Sequence, residues 1–194
     1  MIDYRELFES ANAYERLEAL KNNGELFAEI PELKACFACE QENPHHCYNV
    51  GEHIFISVRE ALSSGESPMI CMALLLHDIC KPYVKTFGKD GNAHFYDHAV
   101  FSSKRAAEIL RKVDCFSGEE KERIVFLIDN HDVINGSAGE KTLQKLLRRS
   151  GYSFCSDLLT VKYYDVMAQS EYRRNEKLGK LNYFRNIVEN SKGE

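Results

Sequence analysis

Apolar residues recur at helical spacing along almost the whole chain, and no run of strict alternation is long enough to predict a sheet. The pattern reads as all-α. From Ile2 to Asn22 the repeat through Leu7, Phe8, Leu17 and Leu20 predicts one or two helices, which Asn22-Asn23-Gly24 breaks. A short helix is expected from Leu26 to Ile30. After the loop Gln41-Glu42-Asn43-Pro44, Asn49 is placed to cap a helix reaching about Leu62, with Val50, Ile54, Val58 and Leu62 on one face. Pro68 suits the first turn of a helix from Met69 to about Cys80. That helix is apolar on nearly every side, so it should be the central buried one, and Pro82 should stop it.

The stretch from Tyr83 to Tyr96, with Gly88, Asp90, Gly91 and Asn92, reads as an ordered loop. Helices over about Asp97 to Val113 and Glu119 to His131 follow. Beyond Asn135-Gly136-Ser137, a short helix carrying Leu143, Leu146 and Leu147 is expected, then a long one from about Ser156 into the region of Lys177. The organisation this predicts is a compact single-domain helical bundle. Residues 1–40 form an N-terminal helical extension packed on the domain, 41–178 the domain itself and 179–194 a C-terminal tail.

Composition narrows the picture. A chain of 194 residues, 44% of them hydrophobic, can bury one sizeable core. Its longest apolar run, Met69 to Leu76, is far shorter than the roughly 20 residues that span a bilayer. Asp3, Arg5, Glu6 and Glu9 scattered near the N-terminus lack the layout of a signal peptide, so a cytoplasmic protein with no membrane partner is expected. Seven cysteines, an odd number set mostly in apolar helical patterns such as Cys71, Cys80, Cys115 and Cys155, fit a reducing compartment. A formal charge of −5 argues against a protein held on nucleic acid mainly by phosphate neutralisation. It leaves a small phosphorylated substrate open.

The chemistry centres on His77-Asp78, which closes the run Met-Ile-Cys-Met-Ala-Leu-Leu-Leu. An ionised carboxylate there costs several kcal/mol unless it is paired or bound to a cation, and a divalent metal satisfies imidazole and carboxylate together. For an isolated pair, a plain buried His–Asp hydrogen bond is the commoner outcome. The pair is not isolated. His53 lies among Val50, Ile54 and Ser57; His131 completes the spacing Ile124, Leu127, Ile128; Asp165 sits between Val161, Ala168 and Tyr172. His98 begins a face of small residues through Ser102 and Ala106 to Ile109. Each alone is more often a satisfied core residue than a ligand. Together they bring many inward ionisable groups to one domain, and a metal is their simplest shared partner.

Four stretches carry a resemblance: His46-Cys-Tyr-Asn-Val-Gly-Glu-His53, His77-Asp-Ile-Cys-Lys-Pro82, Gly91-Asn-Ala-His-Phe-Tyr-Asp-His98 and Asp157-Leu-Leu-Thr-Val-Lys-Tyr-Tyr-Asp165. Over about residues 41–170 the chain resembles the HD superfamily of metal-dependent phosphohydrolases. In motif context it looks most like the HD region of bacterial tRNA nucleotidyltransferases. Two features depart from it: Cys80 stands where the family usually has Gly, and the sequence contains no nucleotidyltransferase head, which puts CCA addition out of reach. The resemblance implies a helical bundle of the HD type and a first metal on His53, His77, Asp78 and Asp165. Two-metal HD enzymes add histidines from later helices, for which His98 and His131 are the matching positions, with Asp78 bridging.

The resemblance also implies that Lys81 meets a substrate phosphate, although such a lysine taken alone reads as a solvated helix-end cation. His94, one turn before His98, either rims the site and touches substrate or merely starts the exit from the loop. Cys36-x-x-Cys39 with His45, His46 and Cys47 can be drawn as a zinc site, but one CxxC without a second paired motif reads better as ordinary buried thiols. Lys141, Lys145, Arg148 and Arg149 with Arg173, Arg174, Lys177 and Lys180 either form a phosphate patch or are solvated helix faces, the commoner case.

The expected function is therefore hydrolysis of a phosphomonoester or phosphodiester, in a nucleotide or related small substrate, by a metal-bound hydroxide. Asp78 and Lys81 are the expected catalytic residues. Mixed imidazole and carboxylate ligands suit one or two divalent metals, iron or manganese first, with nickel, cobalt, zinc and magnesium as alternatives. Two rivals are a non-catalytic nucleotide- or RNA-end-binding module with a structural metal, and an interaction module whose histidines fill the core. Nothing in the sequence sets the oligomeric state.

Overall fold

The computed structural model describes residues 1–133 and 139–192. Four short helices open the chain, α1 (Tyr4–Glu9), α2 (Ala13–Asn22), α3 (Glu25–Glu29) and α4 (Pro31–Phe37), and α5 (Val50–Ser63) and α6 (Pro68–Leu76) follow. Then come α7 (Lys81–Val84), a hairpin of β1 (Lys85–Phe87) and β2 (Ala93–Phe95), α8 (His98–Leu110), α9 (Gly118–Asn130), α10 (Gly139–Met167) and α11 (Arg174–Asn190). The all-α expectation holds, with the two three-residue strands as the only sheet among the described residues.

The centre is α6. The Ser67 hydroxyl accepts the Ile70 amide at its start, Pro68 occupies the first turn, and every residue from Ile70 to Leu76 is buried. A helix apolar all round must be covered on all sides. Here α1, α5, α8, α9 and α10 pack around it. Reciprocal hydrogen bonds between Asn49 and Glu52 start α5, and between Ser117 and Glu120 start α9, so both helices begin at defined residues. The N-terminal helices join the same core through Tyr4, Leu7, Leu17, Leu26 and Leu33. The seven thiols are free, and Cys36 donates to the Ile79 carbonyl. Among the described residues no helix is long and apolar enough to cross a membrane.

Several boundaries differ from the sequence pattern. The central helix ends at Leu76, not near Cys80, because residues 77–80 tighten into turns in which the Lys81 amide reaches the Asp78 carbonyl at 3.0 Å. The stretch read as a loop from Tyr83 folds into α7's last turn and the hairpin; strands of three residues are too short to show alternation. The helix expected to run unbroken into Lys177 stops at Met167 and restarts at Arg174. In that break the Ser170 amide donates to the His45 carbonyl at 2.9 Å and its hydroxyl to the Pro44 carbonyl at 2.7 Å. Residues 179–190, read as part of a tail, lie in α11 with Leu181, Phe184 and Val188 buried against the core. Asn135-Gly136-Ser137, read as a break, lies outside the described residues.

Candidate metal centre

Each inward-facing residue reaches one buried cluster from a different part of the chain. His53 comes from the second turn of α5, His77 and Asp78 from the turns after α6, His98 from the first residue of α8, His131 from the residue after α9, and Asp165 from the last turns of α10. All six are buried.

The backbone aims the imidazoles. Nδ1 of His77, His98 and His131 lies 2.7 Å from the carbonyl three residues earlier, on Leu74, Phe95 and Ile128, and Nδ1 of His53 lies 3.2 Å from the Ala168 carbonyl. A carbonyl accepts only, so each Nδ1 carries a proton, and in the neutral ring each Nε2 presents a lone pair. Those lone pairs converge. His53 Nε2 is 3.3 Å from His77 Nε2, and His98 Nε2 is 3.2 Å from His131 Nε2. With the rings neutral and their protons on the far nitrogens, neither pair has a hydrogen to share.

Asp78 lies between the two pairs. Its Oδ2 is 3.2 Å from His77 Nε2 and 3.5 Å from His53 Nε2, while its Oδ1 is 3.2 Å from His98 Nε2 and 3.6 Å from His131 Nε2. Asp165 Oδ1 closes the first half at 3.2 Å from His53 Nε2. Neither Asp78 oxygen accepts an aligned hydrogen bond; the Lys81 ammonium stands 2.7 Å from Oδ2 as an ion pair. Burial alone would raise the Asp78 carboxyl, but without a metal the positive charge of the His77 ring, whose proton affinity Asp78 raises, and that of Lys81 hold it well below the usual carboxylate range. Burial acts on Asp165 in the same sense, and Lys162 overcomes it. Burial also lowers the proton affinity of His131, favouring the neutral ring that a cation requires.

Two groups of candidate ligand atoms, His53 with His77 and Asp165, and His77 with Asp78 and His131, each lie within 4.8 Å of one another. Proton-free nitrogens and carboxylate oxygens at that spacing suit a divalent transition metal.

Of the other sequence candidates, Lys81 joins the cluster, held also by the Gln41 amide oxygen at 3.1 Å. His94 does not: on β2 it stacks on Tyr96 and faces Asp90. The Cys36, Cys39, His45, His46 and Cys47 set does not form a metal group among the described residues.

Sequence reasoning missed the side chains that steady Asp165. Lys162 Nζ lies 2.8 Å from Asp165 Oδ2 and 3.4 Å from Asp132 Oδ1, and Gln169 Nε2 donates to Asp165 Oδ1 at 2.9 Å. The signal was available, since residues three before and four after Asp165 share its helical face. His46 was weighed only with the Cys36–Cys39 set and as motif context, not as a neighbour of His53. Its ring packs edge-on against His53 with centroids 5.2 Å apart, and its buried Nδ1 has no partner.

Beside the cluster opens a cleft of about 740 Å³ between residues 43–46, α10 and α11, lined among others by His46, Lys162, Gln169, Lys177, Lys180 and Tyr183.

Fold and site together define an all-α protein whose buried histidine–aspartate groups could bind a metal ion. No family model matches the chain. It is 27% identical over 143 residues, 69% of its length, to the multifunctional CCA protein of Azoarcus sp. (strain BH72). The chain spans about a third of that relative, 32% of its length.

Proposed function

We propose that the protein is a metal-dependent phosphohydrolase of the HD type, cleaving a phosphomonoester or phosphodiester in a nucleotide or related small substrate. The observation that carries this reading is the convergence of four imidazole Nε2 atoms on the two oxygens of Asp78. Without a cation, the cluster must either leave the buried lone pairs of neutral rings facing one another or bury a protonated ring, and either costs desolvation. The likeness to a protein named a multifunctional CCA protein supports the nucleotide part.

His53, His77, Asp78 and Asp165 would hold one metal, and His98 and His131 a second, with Asp78 shared between them. Bound there, iron or manganese would supply Lewis acidity and lower the pKa of water toward neutrality. The protein's own groups do the rest. Lys81, buried beside Asp78, offers the ammonium that offsets charge on the phosphoryl oxygens. The His–carbonyl bonds fix the imidazoles before any ligand arrives.

The test is elemental analysis of purified protein beside His77→Ala and His131→Ala, with phosphomonoester and phosphodiester hydrolysis followed after metal addition. The reading requires bound metal, a lower content in each variant and hydrolysis that tracks it. Metal that binds without hydrolysis indicates a structural site in a binding module instead. Protein that takes up no metal refutes the proposal.

A further inference from the structure

The cleft beside the cluster has walls of opposite charge, and its carboxylates are engaged. Arg173 grips Glu176 through one guanidinium edge, Nε and Nη2 each donating to one carboxylate oxygen. Glu140 accepts the Tyr183 hydroxyl at 2.9 Å and the Gln144 amide at 3.3 Å, and Asp132 faces Lys162. These pairs also engage the cations Arg173 and Lys162.

Lys177 is different. It is half-buried, and its hydrogen-bond partner is the neutral amide oxygen of Gln169 at 2.6 Å. No described carboxylate lies within ion-pair distance of it. An amide oxygen satisfies a donor but leaves the charge uncompensated. Burial works against the Lys177 ammonium, and Lys162, Arg173 and Arg174 add repulsion that Asp165 opposes. Lys180, one turn on, lines the same wall.

The position is specific. Lys177 bonds to Gln169, which bonds to Asp165, so the ammonium stands two hydrogen bonds from the metal cluster. His46, with its buried unpartnered nitrogen, lies between cleft and cluster, against His53. The half-exposed ring of Tyr183, with Leu181 and Phe184, adds aromatic and apolar lining. The Lys177 ammonium beside an aromatic wall suits a phosphorylated nucleoside, and the volume suits a ligand of that size.

Resting on the phosphohydrolase reading, we propose that this cleft seats a second phosphate of the substrate on Lys177 and Lys180. The favoured substrate is then a nucleotide carrying a phosphate beyond the one presented to the cluster. The second phosphate supplies the counter-charge Lys177 lacks and anchors the scissile group at the metals.

The test uses adenosine 3′,5′-bisphosphate and adenosine 5′-monophosphate as probes, titrated calorimetrically into chelator-treated and metal-loaded protein. Wild type should bind the bisphosphate at least about tenfold tighter, the scale of one charge-assisted contact. Lys177→Gln should erase that preference. Lys177→Arg and Lys145→Gln, which removes an exposed charge outside the cleft lining, should keep it. If Lys177→Gln does not fold, Lys180→Gln, which must at least weaken the preference, replaces it. Equal binding of both probes to wild type, or a preference that survives Lys177→Gln, overturns the inference. Because binding is read without turnover, a preference without hydrolysis sinks the phosphohydrolase reading alone, and hydrolysis without preference sinks this one alone.

Discussion

Asp165 keeps its charge in the interior because Lys162 stands beside it. Burial disfavours the ammonium, but Asp165 and Asp132 more than offset this and hold Lys162 above its usual proton affinity. Replacing one partner leaves the other charge buried and alone. Lys162→Met is therefore expected to cost about 3–5 kcal/mol, measured by urea unfolding. The paired change Lys162→Met with Asp165→Leu should recover most of that loss. A single variant as stable as wild type would show that water reaches Asp165 freely. If the metal reading holds, Lys162→Met should also weaken metal binding about 10- to 100-fold in a competitive chelator titration. At this scale the sequence was legible where a ligand type sat on an apolar stripe, as with His53 and His131. It put Lys162 on the face of Asp165 but could not weigh it, because its value depends on that aspartate being buried, which tertiary packing sets.

Helix crossings set where those residues stand. Gly51 sits where α5 meets α4, and a Cβ there would lie 2.5 Å from Phe37 Cγ. The Phe37 ring is held edge-on between Phe27 and Phe55 and has little room to retreat. Gly51→Ala should cost about 1–3 kcal/mol in chemical unfolding, despite alanine's better helix propensity. If it stabilises instead, the crossing is looser than described. Ser117→Ala removes one arm of the α9 cap and should cost about 1 kcal/mol. Caps and apolar stripes were readable because they are local, and Asn49 and the central helix came out close to their places. The break between α10 and α11 was not: it depends on Ser170 meeting the 44–45 backbone, more than 120 residues earlier in the chain. The cleft was hidden with it, since its wall exists only once the chain turns back there.

As a whole molecule, the N-terminal helices, the central bundle and α11 share one core. Unfolding should therefore be a single transition, and removing residues 1–40 should expose α6 and leave an aggregating fragment in size-exclusion chromatography. A ligand bound only by the native state raises the melting temperature, so chelation should lower it by about 5 °C or more if metal was present well above its dissociation constant. An unchanged melting curve would falsify metal occupancy. The four imidazoles are aimed by main-chain carbonyls, which every amino acid possesses, whereas Asp165 is aimed by the side chains of Lys162 and Gln169. A substitution at Leu74, Phe95, Ile128 or Ala168 can disturb packing, yet it cannot delete the group that orients the ring. The cluster thus has uneven tolerance to inherited change. In a saturation library scored for function among stably folded variants, orientation defects should concentrate at 162 and 169, and the four carbonyl-bearing positions should accept conservative replacements.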